Sequence, residues 1–328
     1  MTLVVKKYLW WVLTLSCAIF FLGGYYVGEA VGGPVVSLAS PLREGGYRYI
    51  APVLLCNSNP NLNYNNDAGL QSALQAFINT KPDDMISAYV LEMRTGGKWA
   101  GVNDAKAYAP ASMLKVPTMA AILKYADTHA DFLNKQIYYD GSFDDNRAEY
   151  FKPLKVIEPR RSYSIEQLLS YAVGYSDNNA ERLLDGSIDR TTLESLYINL
   201  GVQLPPDVID FMSARTYSLF LRVLYNSTYL SREMSEKALG FMSQPDFPQG
   251  LQSGVPSSVS VAQKFGERQI YSPDGQLQYR ELHDCGIVYR PNDPYVLCVM
   301  TRGQEFASLV GDISGVSKIV YEYLEAHR

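Results

Sequence analysis

Two stretches rich in β-branched and aromatic residues stand far apart in the chain, at 86–102 and 258–300, with mostly helical patterns between them. A sheet that uses both must be built from the two ends of the globular region, with the helices inserted between its strands. The first stretch reads as a hairpin: residues 86–93 and 98–102 flank Arg94-Thr95-Gly96-Gly97, which supplies the glycines of a tight turn. The second holds three strand candidates, 258–264, 285–289 and 295–300, the last without polar alternation, as in a strand buried on both faces. A helix leads, with Leu70, Leu74, Phe77 and Ile78 at i, i+4, i+7 and i+8, and another at 316–324 closes the chain. Within the helical block, Ser164-x-x-Gln167 forms a capping box ahead of Ile165, Leu168, Leu169 and Ala172 on one face. The expected class is α/β in the α+β sense: an antiparallel sheet from both chain ends, an inserted all-helical subdomain, and a cleft between them.

Residues 8–27 form a run of 20 without a charge, which at about 1.5 Å per residue reaches roughly 30 Å, the thickness of a bilayer core. Lys6 and Lys7 precede it, Trp10 and Trp11 sit near one end, and Tyr25 and Tyr26 near the other, matching positive-inside flanking and aromatic belts. The expectation is one transmembrane helix with the bulk of the protein outside the cytoplasm. A cleaved signal peptide ending near Gly28-Glu29-Ala30, or a lipoprotein signal acylated at Cys17, is the rival reading; the apolar run exceeds the 7–15 residues of a signal core. Residues 28–68, with their glycines, prolines and asparagines, read as a linker in which the apolar piece 49–56 docks on the globular domain. The expected division is 1–27 cytoplasmic tip and anchor, 28–68 linker, 69–328 globular domain.

A net charge of −5 excludes a basic footprint for nucleic acid. Three histidines and four cysteines are too scattered for a local metal cluster, and no cofactor is expected.

Ser112-Met113-Leu114-Lys115 is the one Ser-x-x-Lys in the chain, and on a helix i and i+3 share a face, so the amine lies beside the hydroxyl. A serine hydroxyl needs an adjacent base to be a nucleophile, and a lysine can serve. Pro117 fits only near a helix start, which places Ser112 at the N-terminal end, where free backbone N–H groups can stabilise an oxyanion. Two more triplets come later in order, Ser176-Asp177-Asn178 after the capped helix and Lys264-Phe265-Gly266 at the end of the first late strand. Taken singly they could be a turn with an N-cap and a solvated strand end; together they make a strong signal.

With these motifs the chain resembles the penicillin-recognising serine enzymes, and class A β-lactamases most, over residues 69–328. The resemblance implies a Ser112 acyl-enzyme with a β-lactam or cell-wall peptide substrate. It makes Lys115 the proton partner of Ser112, Ser176 a proton relay to the leaving nitrogen, and Lys264 a source of positive potential. Asn178 would hold the substrate's amide, and Gly266 and Glu267 the substrate-facing strand, with the N–H groups of Ser112 and Glu267 as the oxyanion hole.

The chain departs from that family in two places. No Ω-loop glutamate comes after the Ser-Asp-Asn triplet: the interval from Ser176 to Lys264 is 88 residues, and residues 203–210 offer only Asp207 and Asp210. Glu166 precedes the triplet and reads as an exposed first-turn acid. Phe265 stands where β-lactam-binding relatives carry a hydroxyl that meets the drug's carboxylate, a charge Arg268 or Arg302 could supply instead. Acylation parts present and a deacylation part missing imply a long-lived acyl-enzyme. The alternatives are a D-alanyl peptide carboxypeptidase and a non-turnover ligand sensor. Cys285 and Cys298 are placed about symmetrically around Pro291-Asn292 and are expected as two buried free thiols facing each other, with a disulfide the lesser possibility. His283, without a Gly-x-Ser-x-Gly elbow, is expected to be structural.

Overall fold

The computed structural model describes residues 43–53, 64–94, 97–204, 208–244 and 247–328. The expected membrane helix at 8–27, Cys17 and Asp207 lie outside the described residues; among those described, no helix is long and apolar enough to cross a membrane. Six strands form the main sheet: β1 (Asn65–Asn66), β2 (Met85–Glu92), β3 (Lys98–Val102), β4 (Val261–Tyr271), β5 (Leu277–Val288) and β6 (Tyr295–Gly303). Their order is β1-β3-β2-β6-β5-β4. β6 lies between β2 and β5, so strands from the two chain ends meet along it. Its residues from Tyr295 to Thr301 are wholly buried, as a run without polar alternation demands.

The sheet is mixed rather than purely antiparallel, because β1 pairs with β3 in parallel. This two-residue strand is Asn-Asn, with no strand pattern to announce it. β4 and β5 also run further than expected, so Lys264-Phe265-Gly266 lies inside β4 and not at its end. Among the added residues Gln269 and Arg280 are polar and half-exposed; they are direct partners in the β4–β5 hairpin, and cross-strand bonds hold what composition does not signal.

Each sheet face carries its own core. One is covered by α1 (Ala68–Ile78), which Asp67 caps by accepting the Leu70 N–H at 3.0 Å. The other is covered by the inserted block α2 (Lys115–Ala126), α3 (Ile165–Leu169), α4 (Asn178–Leu184), α5 (Arg190–Asn199), α6 (Ala214–Tyr225) and α7 (Arg232–Met242). This block is not all-helical as expected: Gln136–Tyr139 pairs with Arg161–Ser164, and Ala107–Tyr108 with Met212–Ser213, in two short antiparallel ribbons whose cross-strand bonds no local pattern announces. Beside α1 lies α8 (Phe306–Ala326), which starts ahead of the expected 316 because Gly311 and Gly315 mask its periodicity. Gly315 is needed there, since a Cβ would sit 2.6 Å from the Phe77 ring of α1. The capping box at α3 forms in full, Ser164 Oγ accepting the Gln167 N–H and Gln167 Oε1 accepting the Ser164 N–H. Of the apolar piece at 49–56, Ile50 is buried, the Ala51 N–H donates to the Tyr225 carbonyl of α6, and Glu236 of α7 accepts the N–H groups of Tyr49 and Ile50.

Cys285 and Cys298 form a disulfide, which corrects the expectation of free thiols. The reason is register: they are direct partners across β5 and β6 with Cα atoms 4.0 Å apart, the short spacing of a directly opposed antiparallel pair. With a sequence separation of 13, the chain-entropy model gives such a loop about 3 kcal/mol. Replacing both cysteines with alanine is expected to lower unfolding stability by about that amount, read as a lower urea midpoint at unchanged slope.

Candidate active site

Ser112 lies in a single 3-10 turn, Ala111–Leu114, that runs directly into α2. The turn opens on a left-handed residue, Ala111, at φ 48°, a conformation that a non-glycine residue holds only when its surroundings impose it. Two contacts do so. The Tyr217 hydroxyl of α6 donates to the Met113 carbonyl at 3.0 Å, and His283 Nε2 of β5 meets the Ala109 carbonyl at 3.1 Å. Ser112 itself is partly exposed, and its hydroxyl has no hydrogen-bond partner among the described residues.

His283 is therefore structural, as expected. Its Nδ1 accepts the Thr301 N–H at 3.2 Å, so Nε2 carries the proton given to Ala109. Complete burial pushes its pKa down to about 4. The unfolded chain, titrating near 6.5, then binds the proton first, so this contribution to stability is full above about pH 6.5 and is lost as pH falls towards 4. The shift corresponds to on the order of 3 kcal/mol. The neighbouring Asp284, pushed up to about 7 by burial, acts in the opposite sense and is lost on raising the pH. We expect the stability advantage of the wild type over His283→Asn to shrink by about that amount between pH 6.5 and 4, measured by urea unfolding, because Asp284 is common to both proteins.

The second triplet is placed by a backbone device of the same kind. The helix α3 widens into one π-turn, Ser170–Gly174, after which Ser176 adopts φ 58° and Asp177 caps α4. The buried Asp177 carboxylate accepts N–H groups from Asn179, Ile157 and the Asn146 amide at 2.7–2.9 Å, which anchors the turn. Ser176 is thereby held between the two lysines. Its hydroxyl accepts from Lys264 Nζ at 2.7 Å and its carbonyl from Lys115 Nζ at 2.9 Å. Both lysines are only 2% exposed. Asn178 Oδ1 takes a second Lys115 proton at 2.5 Å.

The third triplet enters from the sheet. β4 is the edge strand, and at Gly266 it meets the nucleophile turn backbone to backbone: a Cβ there would sit 2.7 Å from the Pro110 carbonyl oxygen and 3.1 Å from the Met113 nitrogen. The five residues Ser112, Lys115, Ser176, Asn178 and Lys264, with Gly266 and Glu267 beside them, thus come from a turn, two helix starts and a strand that the fold brings to one place. The model of the Beta-lactamase enzyme family matches residues 69–324. The chain belongs to that family.

A search of curated proteins finds no match to the sequence. Among solved structures, PBP-A aligns at 21% identity and a TM-score of 0.66, over 80% of this chain and 98% of that one. A point variant of PBP-A, captured as an acyl-enzyme complex with penicillin G, aligns at 20% identity and 0.65 with the same coverage. A class A β-lactamase from Bacteroides cellulosilyticus aligns at 17% and 0.64, over 78% of this chain and 99% of that one. At such identities these likenesses establish the β-lactamase-like fold.

Within this family member, several groups sit where sequence alone did not put them. Phe265 stacks on Phe247 with centroids 4.5 Å apart and meets Phe151 edge-on, so it fills the core on the α1 and α8 side of the sheet. Arg302 is held by Glu281 and Asp210, both at 2.5 Å, and Arg268 lies opposite the same Glu281 across the strands. Asp210 is thus committed to an ion pair. Glu166 pairs with Lys237, as an exposed first-turn acid can.

Two glutamates join the site that no motif announced. Glu149, from the segment after Asn146, accepts from Asn178 Nδ2 at 2.6 Å and stands beside the Glu267 carboxyl. Burial first, and the neighbouring Glu149 next among the raising influences, push the Glu267 carboxyl up to about 8, although Phe151 donates its N–H to it at 2.8 Å. Glu181 of α4 reaches Lys115 Nζ at 3.2 Å. Its position three residues after Asn178, one helix turn on, was a usable signal; Glu149 had none.

Proposed function

We propose that this chain is a serine hydrolase that opens the amide of a β-lactam or a related cell-wall peptide through a Ser112 acyl-enzyme and releases that acyl group slowly. The observation that carries the reading is Ser176 bridging two buried lysines beside Ser112. Lys115 takes the Ser112 proton as Oγ bonds to the substrate carbonyl carbon. The resulting oxyanion is met by the backbone N–H groups of Ser112 and Glu267, which the close contact at Gly266 supports. Ser176 passes a proton to the leaving nitrogen, with Lys264 supplying positive potential at its hydroxyl. The substrate amide takes the place of Glu149 on Asn178 Nδ2.

Slow release is supported by the site's carboxylates. Asp210 is occupied by Arg302, and the family's Ω-loop glutamate has no counterpart in residues 203–210. Anchoring by residues 8–27, with the domain outside the cytoplasm, belongs to the same proposal and is supported by the Cys285–Cys298 disulfide, since such bonds persist in oxidising compartments. A D-alanyl peptide carboxypeptidase is the second reading, favoured by Phe265, which offers no hydroxyl to a drug carboxylate.

Intact-protein mass spectrometry of the full chain mixed with benzylpenicillin, followed from seconds to hours, tests this. A stoichiometric adduct that persists for many minutes is expected. An adduct that vanishes within seconds while hydrolysed drug accumulates would overturn slow release, and no adduct, with turnover of a D-Ala-D-Ala peptide, would favour the second reading.

A further inference from the structure

Residues 147–156 form a loop whose two roots are held by one carboxylate. Asp177 Oδ1 accepts the Asn146 amide N–H at 2.8 Å before the loop, and Asp177 Oδ2 accepts the Ile157 N–H at 2.7 Å after it, so both roots stand at the start of α4. Lys152 folds the loop on itself by donating to the carbonyls of Asn146 and Arg147, and Lys155 donates to the Tyr175 hydroxyl at 3.0 Å. Every residue from Arg147 to Val156 is exposed except Glu149, Phe151 and Pro153. The first two of these reach the walls of the cleft.

Glu149 accepts from Asn178 Nδ2 at 2.6 Å on the helical wall, while the Phe151 N–H donates to Glu267 Oε1 at 2.8 Å on the β4 wall. The Phe151 ring goes further, into a socket on the α1 and α8 side of the sheet. Its centroid lies 5.0 Å from that of Phe247, 5.4 Å from Phe306 and 6.2 Å from Phe265, meeting each ring edge-on. Three consecutive residues therefore bridge the two walls, because a loop rooted at α4 can fill a socket walled by Phe265 of β4 only by crossing the gap between them. We propose that residues 149–151 are a strap that occupies the substrate cleft, with Phe151 as its plug, so that substrate acylates Ser112 only after the strap has left. The inference deepens the acyl-enzyme reading and rests on it in placing the substrate between Asn178 and β4.

Opening gives up the burial of one half-buried ring and the bonds of Glu149 and the Phe151 N–H, while the roots on Asp177 stay in place. A closed strap weakens the apparent affinity of anything that needs the cleft by the fraction of molecules that are open, and a smaller plug raises that fraction without touching the nucleophile. The full chain, Phe151→Ala and Phe151→Leu would be compared by intact mass in their rates of acylation by benzylpenicillin and of labelling by methanesulfonyl fluoride. The fluoride bonds its sulfur to Ser112 Oγ and expels fluoride ion, the hydroxyl proton passing to solvent, and is small enough to reach the partly exposed Ser112 with the strap closed. Thermal melts show that each variant is folded, and leucine, which keeps an apolar side chain in the socket, secures a folded variant. Hydrogen exchange at the Phe151 amide of the wild type reads the strap without any substrate.

Phe151→Ala is expected to be acylated by penicillin on the order of thirtyfold faster than the wild type and Phe151→Leu about threefold faster, with sulfonylation within about twofold in all three. The wild-type Phe151 amide is expected to exchange at least about tenfold more slowly than the exposed Leu154 amide, after correction for sequence. The proposal is overturned if penicillin acylation is unchanged or slower in the folded variants, if both reagents speed up together, or if the Phe151 amide exchanges as freely as that of Leu154. Sulfonylation of Ser112 with no penicillin adduct in any of the three would overturn the lactam reading instead, and amide exchange would then decide whether the strap is closed.

Discussion

Replacing Ser112 with alanine is expected to remove the penicillin adduct altogether, with acylation slowed at least about a thousandfold, because the oxygen proposed to carry the acyl group is gone. The fold should not notice. The Ser112 hydroxyl has no hydrogen-bond partner among the described residues, so its loss leaves no orphaned group and the change in stability should stay within about 0.5 kcal/mol. The pair of measurements, adduct mass and urea midpoint, separates chemistry from folding. Alanine at Lys115 or Ser176 could not do so, since each would also remove a partner: from the half-exposed Asn178 and Glu181 in the first case, from the buried Lys264 in the second. A residual adduct in Ser112→Ala would place the nucleophile elsewhere and dismantle the proposed mechanism.

The second large effect is expected at a residue that does no chemistry. In Gly266→Ala, the new Cβ would meet the Pro110 carbonyl oxygen at 2.7 Å and the Met113 nitrogen at 3.1 Å. These are backbone atoms held by their own bonds: the Met113 N–H donates to the Pro110 carbonyl and the Met113 carbonyl accepts from Tyr217. The turn cannot rotate away as a flexible side chain would, so β4 and the nucleophile turn must separate by some tenths of an ångström. That separation falls between the two N–H groups assigned to the oxyanion. Acylation is expected to drop about a hundredfold, as misplacements on that scale do, with a stability cost of about 1–3 kcal/mol from overpacking. Stopped-flow acylation and urea unfolding check the two numbers. A normal acylation rate in a destabilised Gly266→Ala would show that the strand edge plays no part in holding the oxyanion.

The sequence by itself determined what depends on neighbours along the chain. Ser112 and Lys115 share a turn because they are three apart; the capping box at Ser164 and Gln167 forms because its two bonds are local; Asp177 and Asn178 start a helix because their side chains favour caps. The alternation of strand and helix patterns was enough to place a helical block between two halves of a sheet, and the unbroken apolar run of β6 was enough to bury that strand on both faces.

Tertiary structure decided whatever turns on register and close approach. Lys264 meets Ser176 across 88 residues because β4 is the edge strand that runs past the nucleophile turn, and no local pattern encodes a sheet order. The disulfide arose from the same cause: a shift of one residue between β5 and β6 would send Cys285 and Cys298 to opposite faces. Phe265 became core because three other phenylalanines, Phe151, Phe247 and Phe306, surround it or its neighbours, and these come from segments with no periodicity to relate them. Glu149 and Glu181 joined the site for a further reason. A carboxylate's role is set by the charge and burial of the groups that stand opposite, here Asn178, Glu267 and Lys115, and those facing groups exist only once the chain has folded.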